Sequence, residues 1–178
     1  MFATGLAGAG KSTGIKVAQR FCYEFCKAAS IMWNDNTFYF TAYTGSAAAA
    51  FGGITTCKAT FLNKRSITDE DRKTFEGVRI LIIDEVSFLT DSQMLKMDRI
   101  LKKIGNESKP FGGYNLVFGG DFQQLKPVGV EDKEVLWHLT SSCHFKKCIN
   151  CVIILDRMHR FKDDLHYGHM IQHLCTFE

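Results

Sequence analysis

Hydrophobic and polar positions change rhythm along this chain, alternating segments that read as strands with segments at helical spacing. The run Arg79-Ile80-Leu81-Ile82-Ile83-Asp84 is apolar without a break until its closing acid, the mark of a strand covered on both faces in a parallel sheet. Asn115-Leu116-Val117-Phe118-Gly119 and Cys151-Val152-Ile153-Ile154-Leu155 follow the same rule. Thr37 to Ala42 is a β-rich run behind the turn signal Asn34-Asp35-Asn36. Phe2-Ala3-Thr4 reads as the tail of a further strand, too short to be a whole strand of a central sheet. Elsewhere the period is helical: Ile15, Val17, Ala18, Phe21, Phe25 and Ala28 recur between Lys11 and about Ser30. Gly45 to Phe51 predicts a short helix behind the Thr44-Gly45 turn. Met94, Leu95, Met97, Ile100, Leu101 and Ile104 predict another, capped by Thr90 or Asp91 and ended by Gly105. The Met and Leu stripe of that helix reads as core packing. The alternation predicts an α/β domain with a mostly parallel sheet flanked by helices, its ligands at the carboxyl ends of the strands.

Composition narrows this picture only a little. A chain of 178 residues has room for one domain with a real core and not for two of ordinary size. With 46% apolar and 23% charged residues it is globular in character, not disordered or coiled-coil. No apolar run is long enough to span a bilayer, and the first residues lack the pattern of a secretory leader, so a soluble intracellular protein is expected. A net charge of +3 is too small to argue for nucleic acid by itself. Seven cysteines, an odd number scattered through the chain, read as free thiols.

The chemistry is concentrated at the predicted strand ends. Gly5-Leu6-Ala7-Gly8-Ala9-Gly10-Lys11-Ser12-Thr13 fits the phosphate-binding pattern G-x-x-x-x-G-K-[ST] between the first strand and the first helix. Glycines let backbone N–H groups turn toward phosphate oxygens, Lys11 carries a point charge to the β and γ phosphates, and the Ser12 hydroxyl can ligate Mg²⁺. The helix opening at Lys11 adds the positive end of its dipole. Asp84-Glu85 follows a buried strand, the arrangement in which one carboxylate serves the nucleotide's Mg²⁺ and its neighbour activates water. As an isolated pair these acids would equally cap the next segment. Gly119-Gly120-Asp121-Phe122-Gln123-Gln124 can bring the Gln124 amide near a γ phosphate, or simply be a turn; residue type alone leaves both open. Cys143, His144, Cys148 and Cys151 contain a C-x-x-C near a histidine, so a zinc site is a rival reading, weakened because no second ligand pair has metal spacing.

Taken together, these segments resemble the petite integration frequency (Pif) family of superfamily 1 DNA helicases from Thr4 to about Arg160. Besides the phosphate loop and the acid pair, the resemblance rests on Thr41-Ala42-Tyr43-Thr44-Gly45-Ser46-Ala47-Ala48, on Gly52-Gly53-Ile54-Thr55-Thr56-Cys57, with Cys57 where the family usually has His, and on Gly119 to Gln124. It also includes Leu155-Asp156-Arg157-Met158-His159-Arg160, with Met158 in place of the usual Asn. The resemblance implies a RecA-like P-loop NTPase fold that hydrolyses ATP with Mg²⁺ and moves 5′ to 3′ on single-stranded DNA in replication, repair, recombination and telomere maintenance. It implies phosphate contacts from Gly5, Gly8, Ala9, Gly10, Lys11, Ser12 and Thr13, metal ligation by Ser12 and Asp84, and a base in Glu85. Gln124 becomes a γ-phosphate sensor and Arg160 a charge stabiliser, the alternative for Arg160 being a solvated arginine beside Arg157. Thr41, Thr44, Gly45 and Thr55 fall on the DNA path, although Thr41 and Thr44 can also cap helices; Tyr43 or Phe51 is available to stack a base.

Such helicases close two RecA-like domains around ATP, and one is expected here: residues 1–160 as the ATP-binding motor domain, shortened at its amino end, and 161–178 as the start of an incomplete following segment. A second RecA-like domain is the expected partner, beside single-stranded DNA, and no membrane is expected. The setting is the nucleus, the mitochondrion, or a viral or cytoplasmic replication site. A nucleotide-binding module without turnover and a non-helicase phosphate-loop ATPase or kinase are the alternatives.

Overall fold

The computed structural model describes residues 1–6, 8–124, 126–127, 129–131, 134–136, 144–156, 164, 166–168, 170 and 173. Its sheet contains six strands in the order β3-β2-β4-β5-β1-β6, every neighbouring pair parallel. The strands are β1 (Phe2–Gly5), β2 (Phe38–Ala42), β3 (Ile54–Thr55), β4 (Ile80–Asp84), β5 (Asn115–Gly119) and β6 (Val152–Leu155); the helices are α1 (Lys11–Ala28), α2 (Gly45–Ala49), α3 (Thr56–Ala59), α4 (Asp69–Thr74), α5 (Asp91–Ile104) and α6 (His144–Cys148). β3 has too few residues to leave a periodic signal. β1, short as its sequence suggests, is nevertheless an interior strand with β5 on one side and β6 on the other.

Each face of the sheet carries its own core, and β4 shows why. Leu81 and Ile83 belong to a large cluster with Phe118, Met94, Met97, Leu101, Phe111 and Phe145, whereas Ile82 joins Ile15, Phe38, Phe40, Ala42 and Ala48 on the opposite side, as the two-residue period of a strand requires. Leu81 and Ile83 are fully buried and Ile82 nearly so, which is why that segment is apolar without alternation.

α5 covers the larger cluster. Its capping box has the Thr90 hydroxyl accepting from the Gln93 N–H while the Gln93 side chain takes the Thr90 N–H, two donors satisfied reciprocally. Beneath it the carboxylate of buried Asp98 accepts from Lys102 Nζ at 2.7 Å and from the Phe111 N–H at 2.6 Å, with His144 Nε2 3.4 Å away. Burial pushes this carboxyl upward, but the two hydrogen bonds and the imidazole outweigh it and hold Asp98 below the usual carboxylate range. α1 is different: Ile15 is its buried residue, while Val17, Phe21 and Phe25 are 64%, 69% and 57% exposed.

Candidate functional site

The carboxyl ends of β1, β4 and β5 converge on one cleft of about 990 Å³, bounded by Gly8 to Thr13, Asp84, Glu85, Ser87, Gly120, Asp121 and Gln124. Gly8 (φ 82°) and Gly10 (φ 93°) lie in the left-handed region that side-chain-bearing residues enter at a cost, and Gly10 is the residue on which α1 starts. No acid occupies the first turn of α1, so nothing there opposes an anion at the positive end of the helix dipole. Lys11 Nζ donates to the carbonyls of Gly5 and Leu6, which keeps the ammonium against the loop it follows in sequence. Ser12 and Thr13 are exposed at the start of α1.

Asp84 ends β4 and is only 8% exposed. Burial raises its carboxyl above the ordinary carboxylate range, and Glu85 adds to this; the Glu85 N–H, donating to Asp84 Oδ1 at 2.9 Å, and the Lys11 charge pull the other way. β5 leaves room for this carboxylate because residue 119 is glycine: a Cβ there would stand 2.5 Å from Asp84 Oδ1. A buried carboxylate costly to ionise, lining the same cleft as the Ser12 hydroxyl, is a hard-oxygen donor set of the kind Mg²⁺ takes.

Glu85 has φ 56° and ψ 38°, left-handed geometry that is uncommon for a residue with a side chain and recurs at functional sites. Its Oε2 accepts from the Thr44 N–H at 3.0 Å and from the Thr44 hydroxyl at 2.6 Å. Thr44 is itself the cap of α2, its oxygen accepting from the Ala47 N–H at 3.4 Å. Gln124 is exposed and its Nε2 donates to Asp121 Oδ2 at 3.0 Å, so the amide lines the cleft from a loop that Asp121 organises.

Of the four residues expected on a DNA path, Thr41 must be corrected. It is fully buried, its hydroxyl donating to the Ile82 carbonyl at 2.7 Å and meeting the Thr56 hydroxyl at 3.1 Å, so it ties β2 to β4 and α3 inside the fold. Thr44 and Gly45 follow the carboxyl end of β2, and Thr55 ends β3 in register with Ala42, which puts these three at one end of two neighbouring strands. Tyr43 already stacks on Phe88 at 5.6 Å, and Phe51 on Phe40 at 4.0 Å. Cys57 is half-buried against the larger core, and burial pushes its thiol up.

Arg160 and Cys143 lie outside the described residues. Cys148 Sγ is 3.6 Å from His144 Nε2, but among the described residues no three His, Cys, Asp or Glu side chains form a group able to hold a metal. Among them, too, no helix is long and apolar enough to cross a membrane. The Thr44 to Glu85 contact was not foreseen from sequence; the acid and the threonine each stood out there, for separate reasons.

A parallel sheet with a glycine-rich loop leading into α1 and acids closing the adjacent β4 defines a phosphate-loop NTPase fold of RecA-like architecture. The chain belongs to the PIF1-like helicase family, whose model matches residues 1–177. It is 31% identical over 176 residues to the ATP-dependent DNA helicase RRM3 of Saccharomyces cerevisiae, covering 92% of this chain and 23% of that protein. The ATP-dependent DNA helicase PIF1 of Candida albicans is 30% identical over 200 residues, 98% of this chain and 20% of the relative. The crystal structure of Pif1 helicase from Candida albicans superposes with a TM-score of 0.71 at 29% identity, over 98% of this chain and 40% of that one. Bacteroides Pif1 bound to ssDNA shares the fold, with a TM-score of 0.74 at 22% identity over 98% of this chain and 42% of the other. The chain thus spans 23% and 20% of the length of the two helicases named.

Proposed function

We propose that this chain is the ATP-hydrolysing motor domain of a DNA helicase that moves 5′ to 3′ on single-stranded DNA, serving replication, repair, recombination or telomere maintenance inside the cell. The observation that carries the reading is the convergence of the phosphate loop, Asp84, Glu85 and Gln124 on one cleft, with Glu85 hydrogen-bonded to the strand-end residue Thr44. The names of the relatives, ATP-dependent DNA helicases, support the same activity.

In this mechanism the loop from Gly5 to Thr13 wraps the phosphates and Lys11 offsets charge on the β and γ groups. Ser12 and Asp84 would hold Mg²⁺, which supplies further positive charge to the phosphates when bound. Water attacks the γ phosphorus in line, the bond to the ADP oxygen breaks, and the water proton passes to the Glu85 carboxylate. Gln124 reports the γ phosphate, and Arg160 stabilises the charge that develops on the transferred group. Thr44, Gly45 and Thr55 meet the sugar-phosphate backbone without reading sequence. A second RecA-like domain completes the motor and the DNA track.

ATP turnover that rises on adding oligothymidylate and is lost in Lys11→Ala is the expected result, measured on this chain together with its second domain. Nucleotide binding with no turnover under those conditions would instead assign a binding module.

A further inference from the structure

Thr44 has two donors, its backbone N–H and its hydroxyl, and both end on the same oxygen of Glu85, at 3.0 and 2.6 Å. The arrangement is built on both sides. The hydroxyl oxygen also accepts from Ala47, which fixes the Thr44 rotamer. The left-handed backbone of Glu85 is held by its own N–H on Asp84 Oδ1, and the Tyr43 N–H donates to the Asp84 carbonyl at 3.2 Å. The ends of β2 and β4 are therefore stitched together at the acid proposed as the base.

Resting on the proposed reading of Thr44 as a DNA contact and Glu85 as the base, we propose that Thr44 is a positioning residue that couples the two sites by competition. A phosphate of single-stranded DNA and the Glu85 carboxylate require the same two donors. Strand binding takes them, releases Glu85 Oε2 and frees the carboxylate to receive the water proton; without the strand, Thr44 keeps the base engaged. Linkage makes the effect reciprocal: whatever removes Glu85 as a competitor must tighten the strand.

The test is a double-mutant cycle read in strand affinity, using fluorescein-labelled oligothymidylate at fixed salt on this chain together with its second domain. Glu85→Ala is expected to tighten Kd about fivefold or more in the wild-type background. In Thr44→Val, which keeps the N–H but has no hydroxyl to release, the same substitution is expected to tighten Kd clearly less than in the wild type, by about twofold. Thr44→Ser, which restores the hydroxyl and with it the cap of α2, is expected to recover the full response. Equal tightening in all three backgrounds would mean that Glu85 acts only through its charge on the DNA and would overturn the coupling while leaving the strand-binding reading intact. Failure of Glu85→Ala to tighten binding overturns it as well. No binding of oligothymidylate even at low salt with the second domain present overturns both.

Discussion

The two walls of the nucleotide cleft are made differently. The acid wall stands on β4 and the face of α5, where Met94, Met97 and Leu101 have no exposed surface; there Asp84 Oδ1 accepts from the Glu85 N–H, and Glu85 Oε2 accepts from the N–H and hydroxyl of Thr44. The phosphate-loop wall stands on a four-residue strand and on α1, whose Val17, Phe21 and Phe25 face outward. Both helices have apolar residues at helical spacing, so periodicity does not separate them; what separates them is whether a second layer lies over the stripe. Asp84 and Glu85, the proposed metal ligand and base, are thus held by the core, while the loop is shaped by backbone geometry at Gly8 and Gly10.

Glu85→Gln tests the chemical half of that contrast and carries the largest expected effect. It keeps the shape of the wall and removes the proposed base, so strand-stimulated ATP turnover should fall by about 10²–10⁴-fold with nucleotide affinity retained. Met97→Ala attacks the packing beneath the same wall and should cost about 2–5 kcal/mol in denaturant unfolding, enough to consume much of a small domain's stability.

Asp84→Asn works in the opposite direction. Burial gives the folded chain a higher Asp84 pKa than the unfolded chain, so stability falls as pH rises between the two values, and the penalty is constant above the folded one. The asparagine keeps an oxygen for the Glu85 N–H and removes the charge. Its Tm should exceed wild type at pH 7, and the difference should shrink as pH is lowered toward about 4. The smallest effect is expected on the other wall: Phe25→Ser, on the outward face of α1, should change unfolding free energy by no more than about 0.5 kcal/mol. A loss comparable to that of Met97→Ala would show that the stripe is covered in solution and would end the contrast.

The long strands were legible because burial on both faces leaves unbroken apolar runs, as at Ile80 to Ile83, and α5 because its stripe and caps agree. α4 went unread although Thr68 and Asp71 form a capping box, since its six residues, Asp-Glu-Asp-Arg-Lys-Thr, carry no apolar period. The phosphate loop and acid pair were visible because their chemistry constrains neighbouring residues. Thr41 misled because its motif marks it as polar, whereas β2 lies between β3 and β4 and its hydroxyl is spent inside. The hydrogen bond from Thr44 to Glu85 joins residues 41 positions apart, a distance across which a linear reading has no geometric information.

β1 is made before any other strand here, yet its partners are β5 and β6, the last two strands of the sheet. During synthesis the glycine-rich loop emerges early and waits, because its supporting strand has no neighbour until Phe118 and then Val152 to Leu155 have left the ribosome. The binding site is therefore a late product of a motif translated first, and a chain interrupted between α5 and β6 would carry the signature of nucleotide binding without the scaffold that gives it shape.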